Sequence, residues 1–243
     1  MRESDNGEFY STDSVTYESS RFVSASGRDD HERLMACFAE LVTSLDLEDV
    51  VEVGVGTGRV TRVLLAKGAK AIRCVDIAPG MLQVAKEKTG SSRVRYVEGS
   101  AYSLPIEKNS CTSYISVNLL THLDDPVQFW REAGRVLRPG GVALVTSTKI
   151  DSLFLPFGFV VNRRGSAFGQ RVHSVWHRRK SQLSAIAAAG GQLQSVTGHY
   201  YTPRALGGGI VGTVFHRLMR GFERLPPRFG TRLAPMDIYL VKF

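Results

Sequence analysis

The 243-residue sequence has few cysteines and no long apolar run. Its three cysteines, Cys37, Cys74 and Cys111, are scattered, and no histidine is placed to complete a metal-ligand motif with them. No stretch approaches the roughly 20 apolar residues that a membrane-spanning helix needs. The polar first residues lack the basic start and apolar run of a targeting signal. These absences predict a cytoplasmic protein without a metal site.

Negative charge is scarce in the second half of the chain. Residues 1–125 contain 14 lysines and arginines against 19 acidic residues, whereas residues 126–243 contain 17 against 4. The net charge of +8 therefore combines a half of −5 with a half of +13. Such an imbalance is typical of contact with nucleic acid, an anionic membrane or an acidic substrate, although two halves of one globule partly offset each other.

Short apolar runs alternate with segments of helical periodicity. Apolar positions at helical spacing predict helices over residues 28–45, 59–67, 79–88, 127–136, 180–189 and 210–225. The runs "DVVEVGV", "AIRCVDI", "VRYVEG", "SYISVNLL" and "GVALVTST" have the length of strands, and "GQLQSVTGHYY" and "MDIYLVKF" supply two more. Alternation of this kind predicts a largely parallel sheet with helices on both faces.

A glycine-rich turn follows the first of these strands in "VEVGVGTGRV". A phosphate-binding P-loop is excluded because no Gly-Lys-Ser/Thr ends the turn. A dinucleotide fold would have its third glycine where Arg59 stands, one place after Gly58. Asp76, 18 residues beyond Gly58 at the end of the second strand, is placed to accept hydrogen bonds from ribose hydroxyls. The turn thus predicts a nucleoside ligand without requiring a pyrophosphate.

Five motifs in register extend this prediction: "VVEVGVGTGRVT", "VDIAPGML", "VEGSAYSLP", "NLLTHL" and "EAGRVLRPGG". Over residues 50–147 the chain resembles the class I S-adenosylmethionine-dependent methyltransferases. The resemblance implies a single α/β domain. Its fold would be Rossmann-like and doubly wound, with a mostly parallel seven-stranded sheet flanked by helices and an antiparallel last strand. It also implies that the cofactor is S-adenosylmethionine.

The resemblance assigns roles to residues near each motif. Glu52 would help to place the cationic end of the cofactor, Asp76 would hold the ribose, and Ser100 stands where the family most often has an acid. The implied cofactor-binding residues are Tyr17, Glu52, Gly54, Gly56, Gly58, Asp76, Ile77, Met81, Ser100, Ala101 and Asn118. Of these, Ile77 and Met81 would flank the adenine, Ser100 and Ala101 would line its polar edge, and Asn118 would lie beside the sulfonium.

The chain divides into four predicted parts within one domain. Residues 1–27 resemble the lid with which many small-molecule methyltransferases cover the cofactor, although Tyr10 and Tyr17 there could equally be packing residues. Residues 28–149 are the cofactor-binding core. Residues 150–235 are an acceptor-side elaboration that includes a basic amphipathic helix, and residues 236–243 are the last strand.

Methyl transfer depends on alignment and exclusion of water, so a dedicated base is not guaranteed. Candidate bases are His122, His173 and His177, with a structural role for His122 as the alternative. We predict a small-molecule acceptor, lipid-like or anionic, methylated on O, N or C. A nucleic-acid methyltransferase is the rival, although no recognition module or Pro-Pro-aromatic signature is present.

Two further questions stay open at the level of sequence. The chain could be a cofactor-binding partner protein that does no chemistry. The apolar stripe of residues 210–225, with Arg217, Arg220 and Arg224, could rest on a membrane surface or pack on its own domain. The oligomeric state is not predicted.

Overall fold

The computed structural model describes residues 3–21, 24–152, 163, 172–201, 209–223 and 227–243. Within these residues seven strands form one sheet: β1 (Asp49–Val53), β2 (Ala71–Asp76), β3 (Val94–Glu98), β4 (Cys111–Ser116), β5 (Leu137–Thr148), β6 (Gln192–His199) and β7 (Met236–Lys242). Their order is β3-β2-β1-β4-β5-β7-β6, and only β7 runs antiparallel to its neighbours. The predicted fold class is confirmed.

Helices flank the sheet: α1 (Glu3–Asp13), α2 (Tyr17–Arg21), α3 (Ala25–Leu41), α4 (Arg59–Ala66), α5 (Pro79–Thr89), α6 (Pro126–Val136), α7 (Arg179–Ala188), α8 (Gly209–Phe222) and α9 (Pro227–Leu233). Local signals start several of them. Proline occupies the first turn of α5 and α6, where a missing N–H costs nothing. The Ser24 side chain accepts a hydrogen bond from the Gly27 N–H at 3.0 Å and caps α3. The helix therefore begins at Ala25, three residues before its predicted start at residue 28.

The central strands are buried on both faces, as their continuous apolar runs predict. Against one face, Phe129 and Trp130 of α6 are fully buried; against the other, Phe38 of α3 and Leu64 of α4 are fully buried. The two layers place the carboxyl ends of β1, β2 and β4 side by side, because β1 pairs with β2 on one side and with β4 on the other. In open α/β sheets ligands bind at such a point.

A buried ion network ties the far end of the sheet to α9. The Lys149 Nζ donates to the carbonyls of Thr231 and Arg232 at 2.8 and 3.0 Å and lies 3.2 Å from the Asp237 carboxylate. The Arg179 guanidinium donates to the same carboxylate. Burial lowers the pKa of Lys149, while Asp237 opposes the shift. These charges are paired and serve the fold, since the last carbonyls of a short helix need donors.

The acceptor-side elaboration predicted at residues 150–235 falls partly outside the described residues, as do Arg164, Arg171 and Arg224. Its described parts are α7, β6, α8 and α9, and its boundaries remain predictions. None of the helices in the described ranges is long and apolar enough to cross a bilayer.

Candidate functional site

Three glycines shape the loop between β1 and α4. Gly54, Gly56 and Gly58 have φ values of +73°, +53° and +75°, in the left-handed region that side chains with a Cβ rarely adopt. A Cβ at Gly54 would lie 3.0 Å from Leu119, and one at Gly58 would lie 3.2 Å from Ala85. A Cβ at Gly56 would meet no heavy atom within 4 Å. Gly54 and Gly58 therefore allow close packing, whereas Gly56 leaves space open.

Asp76 joins this loop to the end of β2. Its Oδ2 accepts a hydrogen bond from the Gly56 N–H at 2.9 Å, and its Oδ1 accepts one from the Ala78 N–H at 3.0 Å. Burial raises the pKa of Asp76, and these backbone donors oppose the rise. The carboxylate is thereby held in one orientation, beside the open space at Gly56.

Glu52 is a buried acid with no basic side chain bonded to it among the described residues. It is 3% exposed, and its Oε2 accepts a hydrogen bond from the Thr61 hydroxyl at 2.7 Å. Burial raises the pKa of Glu52 to about 8, against the opposing effect of Thr61. A cation brought near this carboxyl would lower its pKa and be attracted in return.

A cavity opens where the carboxyl ends of β1, β2 and β4 meet. It contains about 850 Å³ of space, part of it open to solvent. The lining residues are Asn6, Tyr10, Tyr17, Glu52, Gly54, Val55, Gly56, Thr57, Arg59, Val60, Asp76, Ile77, Met81, Val117, Asn118, Leu119, His122 and Leu123. Polar groups thus stand at separate positions around an otherwise apolar wall.

Helix α1 lies over this cavity. Asn6 and Tyr10, one turn apart on α1, both line it. The Asn6 side chain accepts a hydrogen bond from the His173 backbone N–H at 2.9 Å, and the Tyr10 hydroxyl lies 3.0 Å from the His122 Nε2. Gly7 faces Ile77 so closely that a Cβ would lie 3.3 Å from it. Helix α1 therefore contacts the cavity wall both at Ile77, after β2, and at His122, after β4.

The three candidate histidines occupy different positions. His122 lines the cavity, and its Nδ1 lies 2.7 Å from the His173 carbonyl oxygen. The His173 ring lies 2.6 Å from the Asp124 carboxylate, and His173 is not among the lining residues. The His177 ring is buried against the Leu123 carbonyl at 2.9 Å, and burial lowers its pKa. The structure thus brings His122 to the cavity and leaves the other two rings outside its lining.

Comparison with known proteins agrees with this geometry. The family model described as "Methyltransferase domain" matches residues 51–145, which contain Glu52, the glycine loop, Asp76 and His122. A solved S-adenosylmethionine-dependent methyltransferase from Mesorhizobium loti superposes with a TM-score of 0.65 over 86% of this chain and 98% of that one, at 15% identity. Residues 51–145 of the chain therefore match a methyltransferase domain, and the solved structure shares the fold of most of the chain.

Two curated relatives are similar to the same part of this chain. Malonyl-[acyl-carrier protein] O-methyltransferase of Hahella chejuensis is 32% identical over 108 residues, which are 44% of this chain and 39% of that protein. The 2-methyl-6-phytyl-1,4-hydroquinone methyltransferase of Arabidopsis thaliana is 37% identical over 107 residues, which are 44% and 32% of the two chains. The match spans well under half of either relative, so it does not define the acceptor.

Most of the predicted cofactor-binding residues lie together. Those that line the cavity are Tyr17, Glu52, Gly54, Gly56, Asp76, Ile77, Met81 and Asn118. Gly58, Ser100 and Ala101 are not among the lining residues. Gly58 faces α5, the Ser100 Oγ accepts a hydrogen bond from the Tyr102 N–H at 3.1 Å, and Ala101 is buried in the core.

Sequence reasoning missed two residues of this site. Arg59 was read only as a missing glycine, but it lines the cavity at the start of α4, with its guanidinium 5.8 Å from the centre of the Tyr17 ring. The Arg59 side chain lies 3.0 Å from the His31 Nδ1, and burial together with Arg59 lowers the pKa of His31 to about 4, so that His31 is neutral and accepts the hydrogen bond. Asn6, in a polar segment without periodicity, carried no signal that could have found it.

Proposed function

We propose that this protein is an S-adenosylmethionine-dependent methyltransferase that methylates an O, N or C atom of a small-molecule acceptor. One observation carries the proposal: the cavity joins a fixed carboxylate at Asp76 with an acid at Glu52 and a cation at Arg59. A nucleoside that carries both a cation and a carboxylate matches that arrangement. The glycine loop supports it, because the space at Gly56 lets a ligand approach the backbone.

The residues present fit S-adenosylmethionine. Asp76 would hold the ribose, while Ile77 and Met81 would flank the adenine. Glu52 would address the cationic end, and Arg59 with the first N–H groups of α4 would address the carboxylate, since helix N-termini favour anions. When bound, this cofactor supplies a methyl group that is activated by the positive charge on its sulfur.

The protein's own contribution is to align the acceptor and exclude water, effects that can be worth several kcal/mol or more. Asn118, with φ of +61°, turns the chain sharply at the end of β4 and brings Leu119 and His122 into the cavity wall. Helix α1 closes the opposite side. We infer that residues 1–27 act as the lid that the sequence predicts.

The acceptor class rests on two kinds of support. The two relatives act on malonyl-[acyl-carrier protein] and on 2-methyl-6-phytyl-1,4-hydroquinone, and the phytyl chain makes the second acceptor lipid-like. The cavity wall within the described residues includes the apolar side chains of Val55, Val60, Ile77, Met81, Val117, Leu119 and Leu123, which favours such an acceptor over a nucleic acid. Fold alone does not determine the reaction, so both rival functions are tested below.

We also infer that α8 rests on an anionic lipid surface. Its inner face packs through the buried Met219, as predicted for a helix of this domain. On its outer face Ile210, Val214 and Leu218 are 84%, 61% and 54% exposed and recur every four residues. Arg217 and Arg220 are exposed along one side of this strip. An apolar strip beside basic residues suits a membrane interface that contains anionic lipids.

Calorimetry with S-adenosylmethionine and S-adenosylhomocysteine tests the proposed function. Wild type should bind both, and Asp76→Asn should weaken binding by about 10- to 100-fold, since hydrogen bonds to a charged group contribute about 1.5–3 kcal/mol each. Asp49→Asn is the matched control, because Asp49 begins β1 and pairs with Arg138 outside the cavity lining. The proposal fails if wild type binds neither molecule.

Binding of RNA or DNA with a steep salt dependence would support the nucleic-acid reading instead. A protein that binds the cofactor but methylates no member of a broad panel of lipids and metabolites would support the partner-protein reading.

A further inference from the structure

A hydrogen-bonded chain runs from the cavity into the protein backbone through Tyr10 and His122. The His122 Nδ1 lies 2.7 Å from the His173 carbonyl oxygen. Because a carbonyl can only accept, the hydrogen of a neutral His122 ring belongs on Nδ1. Its Nε2 then carries a lone pair, and the Tyr10 hydroxyl at 3.0 Å donates to it.

The hydrogen bonds of Tyr10 and His122 are held in place at both ends. The backbone of His173, whose carbonyl accepts from His122, also donates its N–H to the Asn6 side chain at 2.9 Å. Asn6 and Tyr10 belong to the same helix, so the contact that positions the carbonyl also positions the phenol. Both Tyr10 and His122 line the cavity together with Asn118 and Leu119, where the family places the transferred methyl group.

We propose that Tyr10 and His122 form the proton acceptor of the reaction, and that the acceptor molecule presents a hydroxyl on a planar ring. This inference rests on the proposed function. The acceptor hydroxyl gives its proton to the Tyr10 oxygen while the Tyr10 proton passes to the His122 Nε2. The acceptor electron pair forms the bond to the methyl carbon, and the pair of the broken C–S bond stays on sulfur. The imidazolium keeps its Nδ1–H on the His173 carbonyl and loses the extra proton to solvent after product leaves.

Other groups around the cavity are less suited to this task. Glu52 already accepts a hydrogen bond from Thr61, Asp76 is held by two backbone donors, and Arg59 is a permanent cation. The titratable or charged groups that face the pair are Tyr17, Glu52, Arg59, Asp76, Asp124 and His173. Tyr17 packs edge-on against Tyr10, with ring centres 6.1 Å apart, and so adds an aromatic wall rather than a base. Aromatic walls favour a planar acceptor.

The pair could instead serve only to attach α1 over the cavity. Tyr10→Phe separates the two roles, because it keeps the ring and removes only the hydroxyl. If the pair accepts the proton, Tyr10→Phe and His122→Asn lower kcat by about 100-fold and flatten its rise with pH, while the Kd of S-adenosylhomocysteine stays within about threefold. If it only attaches the helix, the Kd rises and the pH profile keeps its shape.

Two variants calibrate this comparison. Ser11→Ala removes another attachment of α1, the bond that the Ser11 Oγ accepts from the Gly80 N–H at 3.2 Å, without touching the pair. It should shift the Kd and leave the pH profile intact. Tyr96→Phe removes a phenol hydroxyl that bonds Thr89 at the end of α5, outside the cavity lining, and it should match wild type in both measurements.

The acceptor probe is 1,4-dihydroxynaphthalene with radiolabelled S-adenosylmethionine, and 1,4-dimethoxynaphthalene, which has no hydroxyl proton, is the negative control. A second measurement needs no acceptor: ¹⁵N spectra of the His122 ring in the S-adenosylhomocysteine complex, assigned with His122→Asn. The Nδ1–H tautomer is expected, with the Nε2 signal moved by Tyr10→Phe. An Nε2–H tautomer overturns the proposal whether or not the probe is methylated, and full kcat in Tyr10→Phe overturns it when the probe is methylated. Failure of S-adenosylhomocysteine to bind would instead refute the proposed function.

Discussion

Replacing Gly56 by alanine adds a single methyl group at the point where the cavity meets the glycine loop. Gly56 has φ of +53°, and a Cβ there would meet no protein atom within 4 Å. An alanine forced into the left-handed region costs about 1–2 kcal/mol of folding free energy. For a chain of this size that corresponds to a fall in Tm of about 2–8 °C. The folded protein should therefore survive the change.

Cofactor binding should suffer more than stability. Because Gly56 lines the cavity, the added methyl occupies space that we assign to the ligand. Overpacking of this kind costs about 1–3 kcal/mol, so calorimetry should show S-adenosylhomocysteine bound roughly 5- to 150-fold more weakly. The expected signature is a modest loss of Tm together with a large loss of affinity.

Gly90 provides a matched control for the backbone effect. It ends α5 with φ of +54° and also has no atom within 4 Å of a built Cβ, but it is not among the residues that line the cavity. Gly90→Ala should lose a similar amount of stability and bind the cofactor as wild type does. Wild-type affinity in Gly56→Ala would refute our reasoning, because the ligand would then not approach this part of the loop.

Two further predictions concern charge. Without cofactor, the protein should lose stability as pH rises from about 6.5 to about 8, because Glu52 is ionised in the unfolded chain while its raised pKa of about 8 keeps it protonated in the folded one. Below about pH 6.5 the lowered pKa values of His31 and His199, about 4 each, act in the opposite direction. Glu52→Gln should flatten that slope in urea titrations across this range, and an unchanged slope would show that Glu52 is not the group responsible. Wild type should co-sediment with vesicles that contain phosphatidylserine, and changing Arg217 and Arg220 to Glu should reduce the bound fraction by at least about tenfold. Equal binding to neutral vesicles, or no effect of the double change, would contradict membrane docking by α8.

The central sheet could be predicted because each strand is marked by a short apolar run in the sequence. Strands such as Asp49–Val53 are buried on both faces, and their apolar runs are bounded by turns that contain glycine or proline. The prediction of Asp76 as a ligand group followed from its place at the end of the second strand. Resemblance to a family then assigned neighbouring residues by register, and most of them line one cavity.

Helix α1, which lies over the cavity, could not be predicted as a helix. Its sequence, Glu3–Asp13, has no apolar periodicity and contains Gly7 in the middle of the helix. Gly7 lowers helix propensity, but it lets the backbone pack against Ile77, so tertiary contact overrides the local preference. The pairing of Tyr10 with His122 likewise joins residues 112 apart, a distance over which sequence spacing carries no information.

The outcome for the other two histidines has a similar cause. His173 and His177 stand in a segment that the family uses for the acceptor, and this favoured them as bases. In the structure the His173 backbone, rather than its ring, reaches the neighbourhood of the cavity, and the His177 ring packs under Leu123. Whether the ring or the backbone of a loop residue points toward the cavity depends on backbone turns, which the residue types alone do not determine.

The attachment of α1 also has a consequence for the order of folding. Asn6 bonds to a peptide 167 residues further along the chain, whereas the β1–β2 and β2–β3 pairs join residues roughly 20 positions apart. Contacts between distant residues close late, because the loop between them must first be restricted. During synthesis α1 is made early, but its contact with His173 can form only after that later residue has been made. The sheet and its glycine loop can assemble meanwhile with the cavity uncovered, so the nascent domain could take up its cofactor before the cover is in place.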